Sequence, residues 1–385
     1  MSSYSRRAFL KKSGWAFSGL ALMGKPRFLP YFKETKSVSL EEKLGQMLLI
    51  GFRGLKVDKS HSIVQDILLR HIGGVVLFDY DVPEKSPVRN VSSPSQLKDL
   101  ISDLQSFSQT PLLVAVDYEG GRVSRLKDKF DFPSTYSAQY FGKKNNLDLT
   151  FRHADHMGKL LQTLGINLNL APVVDLNTNP DNPVIGKLER SYSKDPEIVT
   201  SHAEKFIQAF HRNNVLCTLK HFPGHGSSTG DSHLGMVDVS RTWIEDELFP
   251  YSSLISKQKV DAVMTAHVFN KHLDSKYPAT LSKRIITGLL REKLKYDGVV
   301  ISDDMQMGAI KQEYGLESAI FRAVEAGVDI LAFANNSTFD VSIALKTVEI
   351  LKRFIKTKKI SPERINESYN RIMNLKKGVN HDRKA

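Results

Sequence analysis

The chain has a single cysteine, Cys217, so no intrachain disulfide can form. That cysteine lies in the apolar run Val215-Leu216-Cys217-Thr218-Leu219, which reads as a buried strand. No run of about 20 apolar residues occurs, which excludes an ordinary membrane-spanning helix. Low-complexity linkers and internal repeats are also missing. No Gly-rich phosphate loop follows the first apolar run, which counts against a doubly wound nucleotide-binding sheet.

Charge is unbalanced overall but not in the body. The formal net charge is +12. Residues 1–36 hold eight Lys/Arg against one Glu, a net of +7. Residues 376–385 hold Lys376, Lys377, Arg383 and Lys384 against Asp382, a net of +3. The body therefore carries only +2, too little for a nucleic-acid-binding face. The C-terminal basic run is expected to be a solvated, frayed end.

The first residues have the form of a secretory signal: a basic stretch, Ser5-Arg6-Arg7-Ala8-Phe9-Leu10-Lys11-Lys12, then a mildly apolar run over 15–24. Adjacent arginines followed by Phe-Leu-Lys resemble the twin-arginine type in particular. Residues 1–36 are thus expected to be a targeting segment, 37–375 a single folded catalytic domain, and 376–385 a basic tail. Export to the periplasm or cell surface follows, with no cysteine nearby to carry a lipid anchor.

From about residue 38 onward, short β-type runs alternate with amphipathic helical stretches. The runs cover 47–51, 74–78, 112–117, 166–174, 216–221, 262–267, 299–303 and 330–333. Most are dense in Val, Ile and Leu with little polar alternation, as parallel strands covered on both faces should be. Helical periodicity falls between them, for example over 95–107, 198–213, 285–294 and 316–326. Eight such units in this length predict a (β/α)8 barrel of the TIM type, with a final helix over about 362–375 closing it.

In such a barrel the reactive side chains project from the C-terminal ends of the strands. Polar residues recur at those ends: Asp117, Asp175, Lys220-His221, His267 and Ser302-Asp303-Asp304. One strand-end Asp alone is as often a helix cap as a functional group. A ring of them points to a site. The fifth run leads into Lys220-His221-Phe222-Pro223-Gly224-His225-Gly226-Ser227-Ser228-Thr229-Gly230-Asp231-Ser232-His233. Its Gly, Ser and Pro content predicts a mobile loop over the site. Asp231 stands two residues before His233, close enough to hydrogen-bond it, orient the ring and favour its protonated form. Such an imidazole suits general acid/base work.

With these residues the chain resembles glycoside hydrolase family 3, in its single-domain β-N-acetylglucosaminidase branch, over most of residues 38–375. The Lys-His-Phe-Pro-Gly-His-Gly run with Asp-Ser-His after it carries the likeness, supported by 117–125, 167–175 and 300–305. The resemblance implies retaining hydrolysis of terminal β-linked N-acetylhexosamine from peptidoglycan fragments or chitin-type oligosaccharides. It makes Asp303 the nucleophile, His233 the general acid/base and Asp231 the partner of His233. It assigns Asp117, Arg125 and Arg190 to sugar binding, and Lys220 and His221 to substrate contacts. It implies no metal or organic cofactor, a carbohydrate as the partner, and a monomer.

Two features depart from the family pattern. The Gly186–Arg190 spacing is about two residues longer, and Tyr118 replaces the more usual Gln. Asp304 is the rival nucleophile, with a helix cap or supporting acceptor as its other reading. Asp303 is preferred because it ends the strand. Competing readings are a family relative acting as a β-glucosidase or a phosphorylase, and a non-catalytic sugar-binding protein. A metal-dependent barrel hydrolase using His221, His225, Asp231, His233 and His267 is a further rival.

Overall fold

The computed structural model describes residues 38–232 and 234–379. Eight short apolar runs lie side by side as β1 (Leu48–Gly51), β2 (Gly74–Leu77), β3 (Leu113–Val116), β4 (Leu168–Asn169), β5 (Leu216–Phe222), β6 (Ala262–Thr265), β7 (Val299–Ile301) and β8 (Leu331–Phe333). The pairing is parallel throughout, in the order β7-β6-β5-β4-β3-β2-β1-β8. A parallel bridge between Ile301 and Ile330 joins the two ends, so the sheet closes. Every strand residue is buried, which is why the sequence shows continuous apolar runs instead of alternation. The fold is the (β/α)8 barrel expected from the sequence.

β4 is shorter than the run of 166–174. Pro172 has no N–H to offer the ladder, so pairing beyond it is reduced to isolated contacts such as Val174 N to Lys220 O at 2.9 Å. The two asparagines of this run replace ladder bonds with their side chains. Asn167 accepts from Val114 N at 2.8 Å and donates to Leu112 O at 2.9 Å. Asn169 accepts from Tyr118 N at 3.1 Å and donates to Tyr118 O at 3.0 Å. They fix where β3 ends and where the chain beyond it begins.

Helices alternate with the strands and start where short polar side chains cap them. Ser93 accepts from Gln96 N ahead of Pro94–Ser106, and Asp195 accepts from Glu197 N ahead of Pro196–Arg212. In both, proline takes the first helical position, where no N–H is needed. The stretch after β6 winds as a π-helix, Arg284–Lys293. The helix after β7, Gly308–Ala326, breaks at Gly315 (φ 68°, ψ 162°).

The last helix, Pro362–Val379, runs past residue 375, so the boundary expected there falls inside it. Lys376 is not part of a solvated end. It is 2% exposed, and its ammonium donates to Gln46 Oε1 at 2.6 Å and Gly73 O at 2.8 Å, closing the N-terminal rim beside β1 and β2. Asp329 anchors the same helix to β7 and β8. It is fully buried and accepts from Ser368 Oγ at 2.7 Å, Arg291 Nη2 at 2.7 Å and Val300 N at 3.0 Å. No helix among the described residues is long and apolar enough to cross a membrane. The expected targeting segment and residues 380–385 lie outside the described residues.

Candidate active site

The C-terminal rim gathers most of the residues singled out from the sequence. β3 ends at Val116, and the chain turns through a small antiparallel ribbon, Tyr118–Gly120 with Val123–Ser124. Gly120 (φ 99°) and Gly121 (φ 61°) form its tip in backbone conformations that side chains resist. The turn brings Arg125 back over Asp117: its N–H donates to Asp117 O at 3.0 Å and its Nη2 to Asp117 Oδ2 at 3.0 Å. Tyr118, 1% exposed, belongs to the hydrophobic core.

Lys220, near the end of β5, reaches into the same place. Its ammonium lies 2.8 Å from Asp117 Oδ1 and 2.7 Å from Glu119 Oε1. Arg190 grips Glu119 from the other side with both arms of its guanidinium, at 2.8 and 2.7 Å. Its Nη2 also lies 3.2 Å from His221 Nε2. The longer Gly186–Arg190 spacing is absorbed in a turn in which Glu189 adopts φ 57° and Arg190 N donates to Ile185 O at 3.0 Å. Arg190 therefore reaches the site despite the extra residues. His221 is held from behind, its Nδ1 2.7 Å from Asp175 Oδ2.

The electrostatics follow from this packing. Burial alone would raise the pKa of Asp117, but the Lys220 ammonium and Arg125 guanidinium override it and hold the carboxyl well below the usual range. Burial is likewise outweighed at Glu119, by Arg190 and Lys220, and at Asp175, by His221 and His225. Two carboxylates, Asp117 and Glu119, face three cations (Lys220, Arg125, Arg190), while Asp175 backs His221. Alternating charged donors and acceptors at this spacing can take the hydroxyls of a polyol in pairs.

The loop after β5 is not loose at its start. Residues 221–228 are all buried. Asn182 Nδ2 donates to His225 O at 2.8 Å, and Asn179 Nδ2 to Ser228 O at 2.8 Å. His225 N donates to Asp175 Oδ1 at 2.8 Å, and its ring nitrogens lie 2.8 Å from Ser228 Oγ and 3.1 Å from Ser232 Oγ. The mobile loop expected from composition is thus pinned up to Ser228 and again at Ser232, because buried backbone groups there find partners. Burial and the neighbouring His221 lower the pKa of His225 to about 4, so its ring is neutral at pH 7.

Asp303 follows β7 and is half-buried; its Oδ1 accepts from Asp304 N at 2.8 Å. Asp304 is turned to the frame. Its Oδ1 accepts from Gln306 N at 3.1 Å and Ala334 N at 3.0 Å, tying the segment after β7 to that after β8. Its carbonyl lies 2.9 Å from His267 Nε2. Ala309 N donates to Ser232 O at 3.4 Å, which ties the chain beside Asp231 to the segment beyond Asp303. Asp231 is half-buried; His233 lies outside the described residues. Of the imidazoles weighed as metal ligands, His221, His225 and His267 each have both ring nitrogens within hydrogen-bond distance of protein groups.

Glu119 was not among the residues singled out from the sequence, and Asp175 was singled out only as a strand end. A signal for Glu119 was present: two residues after Asp117 in an extended segment, it projects to the same side. Asp175 stood at a strand end but carries its function one step back, on His221.

The glycosyl hydrolase family 3 N terminal domain model matches residues 39–375. The chain is 36% identical over 378 residues to beta-hexosaminidase A of Pseudoalteromonas piscicida, covering 88% of this chain and 61% of that protein. It is 35% identical over 301 residues to a beta-hexosaminidase of Tolumonas auensis (strain DSM 9187 / NBRC 110442 / TA 4), covering 77% and 85%. A solved glycoside hydrolase family 3 beta-N-acetylglucosaminidase from Paenibacillus sp. str. FPU-7 superposes with a TM-score of 0.81 at 35% identity, covering 89% of this chain and 63% of that one. The chain thus spans less than two thirds of the Pseudoalteromonas and Paenibacillus proteins.

Proposed function

The chain belongs to glycoside hydrolase family 3, and we propose that it removes terminal β-linked N-acetylhexosamine from peptidoglycan fragments or chitin-type oligosaccharides with retention of configuration. The observation that carries this reading is the partly to fully buried set Asp117, Lys220, Glu119, Arg190 and His221 at the barrel mouth. It offers paired charged donors and acceptors to sugar hydroxyls at the rim where Asp303 stands. Relatives named as beta-hexosaminidases support the choice of sugar.

In the proposed reaction Asp303 attacks the anomeric carbon and the glycosidic bond breaks as His233 gives its proton to the leaving oxygen. Water then attacks the glycosyl ester, His233 takes the proton, and Asp303 is released. Asp231 orients and charges His233. Asp304 is assigned a framing role, consistent with its two backbone hydrogen bonds. We further propose that the protein acts as a monomer exported through its twin-arginine-type start. Retention in the cytoplasm of Arg6→Lys/Arg7→Lys is the expected result, and normal export of that variant ends the proposal.

The test is a panel of aryl glycosides beside a purified muropeptide, with released sugar identified by mass, with and without added phosphate. Asp303→Ala should lose several orders of magnitude on an aryl β-N-acetylglucosaminide; activity within about tenfold of the parent removes Asp303 from its role. His233→Ala should spare substrates with good leaving groups more than natural ones, and equal losses argue against an acid role.

A further inference from the structure

Beneath the loop that leads to Asp231 and His233 lies a carboxyl that the proposed mechanism does not use. Glu247 sits in the short 3-10 turn Glu245–Leu248 and is 1% exposed. Its Oε2 accepts the Gly226 N–H at 3.2 Å. The loop is shaped around it. A Cβ on Gly224 would stand 2.4 Å from that same oxygen, and Gly224 adopts φ 124° to pass over it. Just upstream, Trp243 Nε1 donates to Pro223 O at 3.0 Å, so both ends of this approach are fixed to the segment 243–247. From here a chain of contacts runs outward. Asn182 holds His225 O and Gly226 O, and the His225 ring meets Ser232 Oγ at 3.1 Å. Ser232 is the residue between Asp231 and His233.

We infer that Glu247 is a positioning residue for the acid/base loop, setting the height of residues 224–228 and, through His225 and Ser232, the place of Asp231, two residues before His233 in the sequence. The inference rests on the acid/base role proposed above for His233. Facing the Glu247 carboxyl are Asp175 from the segment after β4, Tyr251 from the helix Phe249–Ser256, and Ser227 from the loop itself. No cation is among them. Burial and then the nearby Asp175 charge push the Glu247 pKa up to about 8, against the opposing Ser227 hydroxyl and Gly226 N–H. Asp175, by contrast, stays ionised beside His221. The two carboxyls thus hold opposite protonation states, and the neutral Glu247 serves as an anchor without a counter-ion. Ionising it places an unpaired charge beside Asp175, and the least costly relief is to shift the loop that covers it.

The experiment uses the full chain with two β-N-acetylglucosaminides, one with a good aryl leaving group and one with a sugar leaving group, across pH 6–10. Glu247→Gln keeps the shape and neutrality. It should retain kcat at pH 7 within about threefold and lose the alkaline fall in kcat expected of the parent near pH 8. Glu247→Ala removes the anchor. It should lower kcat at least about tenfold on the sugar leaving group, less on the aryl one, with KM nearly unchanged. An unaltered alkaline limb in Glu247→Gln, or equal losses on both substrates in Glu247→Ala, overturns the inference. A parent that turns over neither substrate refutes the functional reading instead. Urea unfolding still decides the state of Glu247 in that case: the stability of Glu247→Gln relative to the parent should grow between about pH 5 and 8, and a constant difference refutes a protonated anchor.

Discussion

Replacing Lys220 by Met tests the central electrostatic claim directly. The Lys220 ammonium is 3% exposed and sits between two carboxylates that are 15% and 5% exposed. At 2.8 Å and an effective dielectric of about 20, each contact is worth roughly 6 kcal/mol before desolvation is subtracted. Methionine fills nearly the same volume, so the loss is electrostatic and not a cavity. Removing one partner of a buried pair usually costs about 3–5 kcal/mol, because the remaining charge is stranded. Here each carboxylate keeps one arginine, Asp117 with Arg125 at 3.0 Å and Glu119 with Arg190 at 2.7 Å. The expected loss therefore lies at the low end, about 3 kcal/mol at pH 7.

Its pH dependence has a fixed sign. The depressed pKa of Asp117 in the parent gives stability that is present above the unfolded value, about 3.9, and lost as pH falls toward the folded one. Without Lys220 the effect of burial gains weight and the Asp117 pKa rises. The gap between parent and variant should be largest at neutral pH and shrink below about pH 4. Urea unfolding of the parent, Lys220→Met, Asp117→Asn and the double variant measures the coupling. The double variant should be less destabilised than the sum of the singles, since Asn leaves one stranded charge fewer. In kinetics, losing one charge-assisted hydrogen bond to the proposed sugar substrate should lower kcat/KM roughly 10- to 150-fold. A stability loss under about 1 kcal/mol, or additivity in the double variant, would refute the reasoning.

The two adjacent aspartates should separate in opposite ways: Asp304→Asn disturbs the acceptor for Gln306 N and Ala334 N and should cost about 1–2 kcal/mol while keeping most activity, whereas Asp303→Asn should abolish turnover with little effect on unfolding. The reverse order in paired activity and unfolding measurements would exchange their roles. Lys376 has its pKa lowered by burial to about 7. Above that pH the folded amine is neutral while the unfolded one stays charged to about 10.4, so parent stability should rise relative to Lys376→Met by up to roughly 1.4 kcal/mol per pH unit between 7 and 10. Parallel unfolding curves at all pH values would mean that Lys376 is charged in place.

What the sequence could reveal was set by how each residue's role is encoded. The strands were legible because a parallel barrel buries both faces, leaving apolar runs whose polar termini mark one rim. Asp117, Lys220 and His221 stand at or beside such termini, so position and chemistry pointed the same way. Arg190 is held by side chains distant in sequence, and only the fold shows that its turn absorbs the extra residues. Glu247 gives no local sign. It is one of three acids in Glu245-Asp246-Glu247, and burial alone sets it apart.

Lys376 is the more instructive case, because its signal was present in another variable. Counted by charge, it belongs with Lys377, Arg383 and Lys384. Counted by helical position, it continues the buried face of Ile365, Ser368 and Ile372, at steps of three, four and four residues. A lysine on that face must find acceptors or lose its proton, and the carbonyl of Gly73 and the amide oxygen of Gln46 supply the acceptors. The same logic holds at the opposite rim. Lys220 differs from Lys376 in that its acceptors are carboxylates, so it stands ready to share charged partners with a ligand, while Lys376 only closes the frame. What distinguishes a site lysine from a structural one in this barrel is therefore not burial, which both share, but the charge of the groups that burial places around it.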